Sequence, residues 1–178
     1  MKMRYISIVG TSGVGKSTLA RQLARQLNLN YIELDNLLWL DDWQETPDDQ
    51  FLAKLNQHMQ QGQAGWVIDN LYTRAENTIW SQADTIIWLD YSFKLNFYRL
   101  LKRTLANGIN RRQLWPDSNN QESWKMMLSR KSIFIWMIQK YPKNRQKYQA
   151  MMHDPQYAHL QFVHLASPKQ AKLFLKQI

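Results

Sequence analysis

Residues 10–17 read Gly-Thr-Ser-Gly-Val-Gly-Lys-Ser, a complete G-x-x-x-x-G-K-[ST] phosphate loop. Its surroundings fit the pattern. Tyr5-Ile6-Ser7-Ile8-Val9 before it is a short apolar, β-branched run, as a buried parallel strand requires. After it, Leu19, Leu23 and Leu27 recur at i, i+4 and i+8 with Ala20 and Ala24 beside them, the stripe of an amphipathic helix. Strand, glycine loop and helix together form the context in which this motif binds a nucleoside triphosphate.

The chemistry follows from the residue types. Gly10, Gly13 and Gly15 permit backbone angles closed to other residues and let main-chain N–H groups approach phosphate oxygens. The helix opening near Lys16 aims the positive end of its dipole at the same anion. Thr11, Ser12 and Val14 complete the loop. Lys16 is expected to reach the β- and γ-phosphates of ATP, and the Ser17 hydroxyl to ligate Mg²⁺. Thr18 stands at the edge of this binding set as a first-turn helix residue.

Composition narrows the class. The 178 residues suffice for one domain with a substantial core, and 44% hydrophobic content excludes disorder. No apolar run approaches the roughly twenty residues that span a bilayer, and the first apolar run flows directly into the phosphate loop instead of forming a secretory segment. A soluble cytoplasmic protein is the expectation. The absence of cysteine excludes disulfides, thiolate metal sites and cysteine nucleophiles. The four histidines, at 58, 153, 159 and 164, show no metal spacing.

Charge is unevenly placed. Residues 1–98 hold eight Lys/Arg against eleven Asp/Glu, a net −3, whereas residues 99–178 hold fifteen against three, a net +12. Such asymmetry can mark a polyanion partner, so a nucleotide switch whose basic half binds nucleic acid is a second reading. A phosphate-transferring enzyme also needs cations facing its triphosphate, and that reading is favoured.

Four further apolar runs predict strands at Tyr31–Leu34, Trp66–Ile68, Thr85–Leu89 and Leu160–Leu165. Helical patterns separate them, one opening at Thr46-Pro47 and the last at Ser167-Pro168, each with a cap followed by a first-turn proline. Alternation of this kind implies an α/β fold with a parallel sheet covered on both faces. Residues 107–121, with Gly108, Pro116 and four asparagines, predict an exposed loop, and a lid is expected around 107–123. Residues 123–141, rich in Met, Ile, Phe and Trp, predict a helix packed on the sheet.

In parallel sheets ligands sit beyond the carboxyl ends of the strands. Asp35, Asp69 and Asp90 follow the second, third and fourth strands. One such carboxylate is needed to support Mg²⁺ beside Ser17; Asp69 is preferred and Asp90 competes, although Asp90 could equally cap the next helix. Asp35 sits where an acceptor could lie and could take a proton from its hydroxyl. Charge building on the transferred phosphoryl group calls for arginines. The candidates are Arg99 and Arg103, one helical turn apart, and the loop pair Arg111-Arg112.

GTSGVGKSTLARQL, ELDNLLW with a second tryptophan at Trp43, WVIDNLY, and ADTIIWLD followed by an arginine-bearing helix together span most of the chain. In these segments it resembles the small P-loop kinases of the adenylate-kinase-like group, and most closely the bacterial DNA topology modulation proteins. The resemblance implies a P-loop NTPase with three α/β/α layers, a five-stranded sheet in the order 2-3-1-4-5 and a mobile lid. It also implies Asp69 at Mg²⁺ through water, Asp35 facing the acceptor, and Arg99, Arg103, Arg111 and Arg112 serving donor phosphates or lid. The turn Ala166-Ser167-Pro168 would lie near the adenine, which adds Ser167 to the nucleotide set. Where such proteins read I-D-G-N-Y, this chain has Ile68-Asp69-Asn70-Leu71-Tyr72, a change in the floor of the acceptor site.

Overall fold

The computed structural model describes residues 3–110, 113–115, 118–121 and 132–178, with the side chains of 108–110 left aside. Its strands are β1 (Tyr5–Gly10), β2 (Asn30–Glu33), β3 (Trp66–Asp69), β4 (Thr85–Leu89) and β5 (Gln161–Leu165). They form one sheet in the order β2-β3-β1-β4-β5, every pair parallel. The expected order is therefore the observed one.

Among the described residues seven α-helices connect or flank the strands: α1 (Lys16–Leu27), α2 (Leu34–Leu38), α3 (Asp48–Gln61), α4 (Glu76–Trp80), α5 (Phe93–Asn110), α6 (Ile133–Met151) and α7 (Pro168–Gln177). The pleat sends alternate side chains to opposite faces. Trp66 and Ile68 of β3, with Ile86 and Trp88 of β4, join Phe51 and Leu55 of α3, Trp80 of α4 and Tyr148 of α6. Val67, Ile87 and Leu89 turn the other way, onto Leu19, Ala20 and Leu23 of α1 and Phe174 of α7. Both faces of the sheet are covered, which gives three layers. This explains why the strands read as continuous apolar runs.

Local chemistry sets the boundaries. Asn28 closes α1 in the left-handed conformation (φ 52°), its N–H directed to Ala24 and Arg25 carbonyls. Ser167 caps α7 by accepting the Gln170 N–H at 3.3 Å, with Pro168 at the first helical position. Pro47 itself occupies the cap position of α3, and the Thr46 hydroxyl instead donates to the Leu37 carbonyl at 3.0 Å. Among the described residues no helix is long and apolar enough to cross a membrane.

Three expectations change. β2 ends at Glu33 rather than Leu34, because buried Leu34 opens α2. Asp35 therefore sits on a short helix instead of a strand-end loop. α5 continues to Asn110, well into the segment read as loop, since its apolar spacing outweighs Gly108. The far limb of that segment is not a free loop either. Asn119 Oδ1 accepts the Asp42 N–H at 2.9 Å, and Asn120 Oδ1 accepts the Trp43 N–H at 2.7 Å. Asn120 Nδ2 also donates to the Leu40 carbonyl at 2.8 Å, and Ser118 and Asn120 are buried. Finally, most of the expected 123–141 helix lies outside the described residues before Ile133. Where it is described, Ile133, Ile135, Trp136 and Ile138 are exposed and Met137 is buried, so this part is not packed on the sheet as expected.

The Asn120 side chain satisfies two backbone groups of the Leu40–Trp43 turn at once. Asn120→Ala leaves both without that partner, at a cost of about 1–3 kcal/mol of docking energy. Hydrogen exchange should show faster exchange of the Trp43 amide, while α1 and β1 amides keep their protection.

Candidate active site

The turn between β1 and α1 is shaped by close approach. Gly10 (φ 147°) would place a Cβ 2.7 Å from the Leu89 carbonyl, and Gly13 (φ 79°) would place one 2.8 Å from the Asn96 carbonyl. A side chain at either position meets backbone, so the turn can press against the end of β4 and the start of α5 only with glycine. Gly15 (φ 104°) stands at the N-cap of α1, with no side-chain cap competing for the first-turn N–H groups. Val14 is buried behind the turn.

Lys16 Nζ donates to the Gly10 and Thr11 carbonyls at 3.0 and 3.2 Å. Burial pushes its ammonium below the ordinary value; Asp35 and Asp69 act to raise it and Arg103 to lower it. These electrostatic couplings bring Lys16, Asp35, Asp69 and Arg103 into one neighbourhood. Arg99 Nη1 donates to the Val14 carbonyl at 3.1 Å, and its guanidinium lies 5.5 Å from the centre of the Tyr91 ring. Arg99 therefore leans on the phosphate turn itself. Arg111 and Arg112 lie outside the described residues.

Asp69 ends β3, buried at 3% exposure. Its Oδ2 accepts the Tyr31 hydroxyl at 3.1 Å, and its Oδ1 has no hydrogen-bond partner among the described residues. Burial raises its pKa, while the adjacent Ser17 hydroxyl works to lower it. Burial and Asp69 likewise raise Glu33. A buried carboxylate oxygen lacking a partner next to a hydroxyl fits a hard divalent cation. Among the described residues no three His, Cys, Asp or Glu side chains group around a metal. The pair Ser17 and Asp69 is what a metal shared with phosphate oxygens would use.

Asp90 is committed elsewhere. Its Oδ2 pairs with His164 Nε2 at 3.1 Å and Arg145 Nε at 3.2 Å, and His164 stacks on Trp88 at 4.4 Å between ring centres. Nor does Asp90 cap α5: the Ser92 hydroxyl accepts the Leu95 N–H at 3.4 Å. Lys147 is paired with Glu76, so Arg99, Arg145 and Lys147 of the basic half all have partners within the chain. Ser167 lies just past β5, on the same carboxyl edge as the phosphate turn, with its hydroxyl engaged in capping.

Asp35 forms the opposite wall. Its Oδ1 accepts the Asn70 amide at 2.7 Å and the Tyr72 hydroxyl. Its Oδ2 takes neither bond. Burial, and then Asp35, drive the Tyr72 pKa upward, while the nearby Trp39 indole acts to lower it. Trp39, Trp43 and Trp115 cluster beyond it: Trp39 stacks on Trp115 at 6.2 Å, and Trp43 meets both edge-on at 5.6 and 5.8 Å.

Asn70 explains the departure from I-D-G-N-Y. It adopts φ 70°, the left-handed region that glycine or asparagine tolerates. Its side chain does two jobs that glycine cannot, accepting the Leu71 N–H at 2.9 Å and holding Asp35. Sequence reasoning missed Tyr31 against Asp69 and the Trp115 contribution. A lone tryptophan beside Pro116 in an otherwise polar stretch was the available signal for the latter.

With this geometry in view, residues 6–124 match a protein-family model described as AAA domain. The chain belongs to the AAA domain family. No curated protein matches it. Among solved structures, this AAA domain protein resembles a shikimate kinase from Acinetobacter baumannii in complex with shikimate, at 13% identity and TM-score 0.61, over 98% of this chain and 90% of that one. It also resembles a gluconokinase from Sinorhizobium meliloti 1021, at 16% identity and TM-score 0.54, over 99% and 93%. A sugar kinase from Janibacter sp. HTCC2649 matches at 13% identity and TM-score 0.53, over 98% and 91%. At these identities the likeness establishes a P-loop kinase fold.

Asn70→Gly should keep the turn but lose the bonds to Asp35 and the Leu71 N–H, at a cost of about 1–2 kcal/mol, whereas Asn70→Val, β-branched at positive φ, should cost about 1–3 kcal/mol more. Urea unfolding midpoints distinguish the two.

Proposed function

We propose that this protein is a Mg²⁺- and ATP-dependent kinase that transfers the γ-phosphoryl group to a hydroxyl of a small acceptor, either a hydroxylated metabolite or a nucleotide. One observation carries the reading: Asn70, directly after Asp69, donates its side-chain amide to Asp35 at 2.7 Å and its backbone N–H to the Ile8 carbonyl, two residues ahead of Gly10, at 3.1 Å. Donor loop, metal-supporting carboxylate and acceptor-side carboxylate thus share one cleft edge. A binding switch needs the first two; a transferase needs all three. The kinase names of the structural neighbours agree with this, as does the P-loop kinase fold.

Each residue then has a task. The Gly10–Ser17 turn and the start of α1 cradle the phosphates with main-chain N–H groups. Lys16 leaves the Gly10 and Thr11 carbonyls for β- and γ-phosphate oxygens, an exchange of neutral acceptors for charged ones. Ser17 and Asp69 would hold Mg²⁺, which would supply positive charge against the phosphates. Asp35 Oδ2 accepts the hydrogen bond of the acceptor hydroxyl and takes its proton as the new O–P bond forms. The bond from the γ-phosphorus to the β–γ bridging oxygen breaks, and ADP departs. Arg99 and Arg103, with Arg111 and Arg112, stabilise charge on the transferring group, and the Ser167 turn lies at the base. The LDNLLW and WVIDNLY segments support placing the protein with the DNA topology modulation proteins within this group.

Purified protein with Mg·ATP should release ADP faster when a suitable acceptor is added from a panel of nucleoside monophosphates and hydroxylated metabolites. Lys16→Ala should abolish the acceptor-dependent rate. Asp35→Asn should lower kcat about 10²–10⁴-fold with little change in KM for ATP. No stimulation by any acceptor, or a rate indifferent to Lys16→Ala, overturns the reading.

A further inference from the structure

Asp69 is held in place from the face of the sheet that α1 covers. In the parallel pairing of β2 with β3, Glu33 stands opposite Asp69 and Tyr31 opposite Val67. The pleat puts all four side chains on one face, where Tyr31 and Val67 pack with the α1 cluster. Across that face the Tyr31 hydroxyl donates to Asp69 Oδ2 at 3.1 Å. The other oxygen, Oδ1, is buried with no hydrogen-bond partner among the described residues. The two oxygens of one carboxylate are therefore unequal. Burial, and then Asp69, push the Tyr31 pKa upward, so the hydroxyl keeps the proton it donates.

Tyr31 is itself braced by α1. The Arg21 guanidinium lies over its ring, 5.6 Å from the centre, and Arg21 Nε donates to the Ser17 carbonyl at 3.1 Å. One side chain thus touches both the residue whose hydroxyl neighbours Asp69 and the tyrosine bonded to Asp69. Arg21 also acts to lower the Glu33 carboxyl, which burial and Asp69 raise. On Asp69 itself Lys16 works in the same direction as the Tyr31 bond, and Asp35 against it. The terminal torsion of an aspartate is broad, so an unheld carboxylate swings about its last bond. A hydrogen bond on one oxygen stops that swing, and partners of this kind orient metal-ligating carboxylates. A neutral phenol does so without cancelling the charge that attracts a cation.

We propose that Tyr31 is a positioning residue for the divalent cation: its hydroxyl fixes Asp69 by Oδ2 so that Oδ1 is presented to the metal beside Ser17, and Arg21 braces the tyrosine ring against the first turn of α1. This rests on the Mg²⁺ part of the kinase reading and adds to it two residues that the phosphate-loop motif does not contain. Tyr31 acts through Asp69. With phenylalanine in its place Oδ2 loses its donor, and Oδ1 is free to turn away from Ser17.

The test separates metal from nucleotide. Binding of a non-hydrolysable ATP analogue to the full chain is measured by calorimetry in EDTA, and Mn²⁺ binding to the resulting complex by electron paramagnetic resonance. Tyr31→Phe should leave analogue affinity in EDTA within about twofold of wild type and weaken Mn²⁺ binding about 10–100-fold. Arg21→Ala, a surface change that keeps the Tyr31 hydroxyl, should weaken Mn²⁺ binding about two- to fivefold; it decides the matter if Tyr31→Phe does not fold. Mn²⁺ held as tightly by the variants as by wild type overturns the proposal. So does a loss of metal-free analogue affinity as large as the loss of Mn²⁺ affinity, which marks a merely structural role. A wild-type complex whose Mn²⁺ signal is that of the Mn²⁺–analogue pair free in solution defeats the metal assignment of the kinase reading and this proposal with it. A protein-bound signal that Tyr31→Phe leaves intact defeats the positioning role alone.

Discussion

The close approach of the Gly10–Ser17 turn to the end of β4 and the start of α5 governs the rest of the site. Two positions in that turn have a carbonyl within 2.8 Å of where a Cβ would stand, so the approach exists because Gly10 and Gly13 carry none. Once the turn is seated, Val14 is buried, its carbonyl is within reach of Arg99, and α1 starts with its N–H groups pointing out of the turn. Moving the turn away would break the bond from Arg99 of α5 to the Val14 carbonyl. The donor side is thus one mechanical unit built from β1, α1, β4 and α5.

The acceptor side is built differently. It rests on polar side chains rather than glycine: Asn70 in a left-handed turn grips Asp35, and the Tyr72 hydroxyl donates to the same carboxylate oxygen. Asn119 and Asn120 then tie the tryptophan-bearing turn to a limb far along the chain. This side depends on contacts between residues 35–43, 69–74 and 113–121, distant in sequence and joined by few atoms each.

Legibility in the sequence divides along the same line. The phosphate loop, the strands and the sheet order were readable because glycine spacing and two-sided burial leave strong local signals, as in Ile86-Ile87-Trp88-Leu89. The place of Asp69 was readable because it ends such a strand. Asp90 occupies the equivalent place after β4, yet only folding shows that His164 and Arg145 occupy it. The short helix at Leu34–Leu38 was hidden by an apolar run that serves strand and helix alike. The asparagine-rich stretch looked like solvent-exposed loop, because hydrogen bonds from Asn119 and Asn120 to a turn almost eighty residues earlier leave no local pattern.

A crystal structure of the protein with Mg²⁺ and a non-hydrolysable ATP analogue is the most direct test of the central claim that the Gly10–Ser17 turn is the donor cradle of a transfer site. The prediction is that Lys16 Nζ exchanges the Gly10 and Thr11 carbonyls for β- and γ-phosphate oxygens, with the metal between Ser17 and Asp69 and the γ-phosphate directed toward Asp35. Triphosphate bound away from the turn, or a γ-phosphate directed away from Asp35, would contradict it.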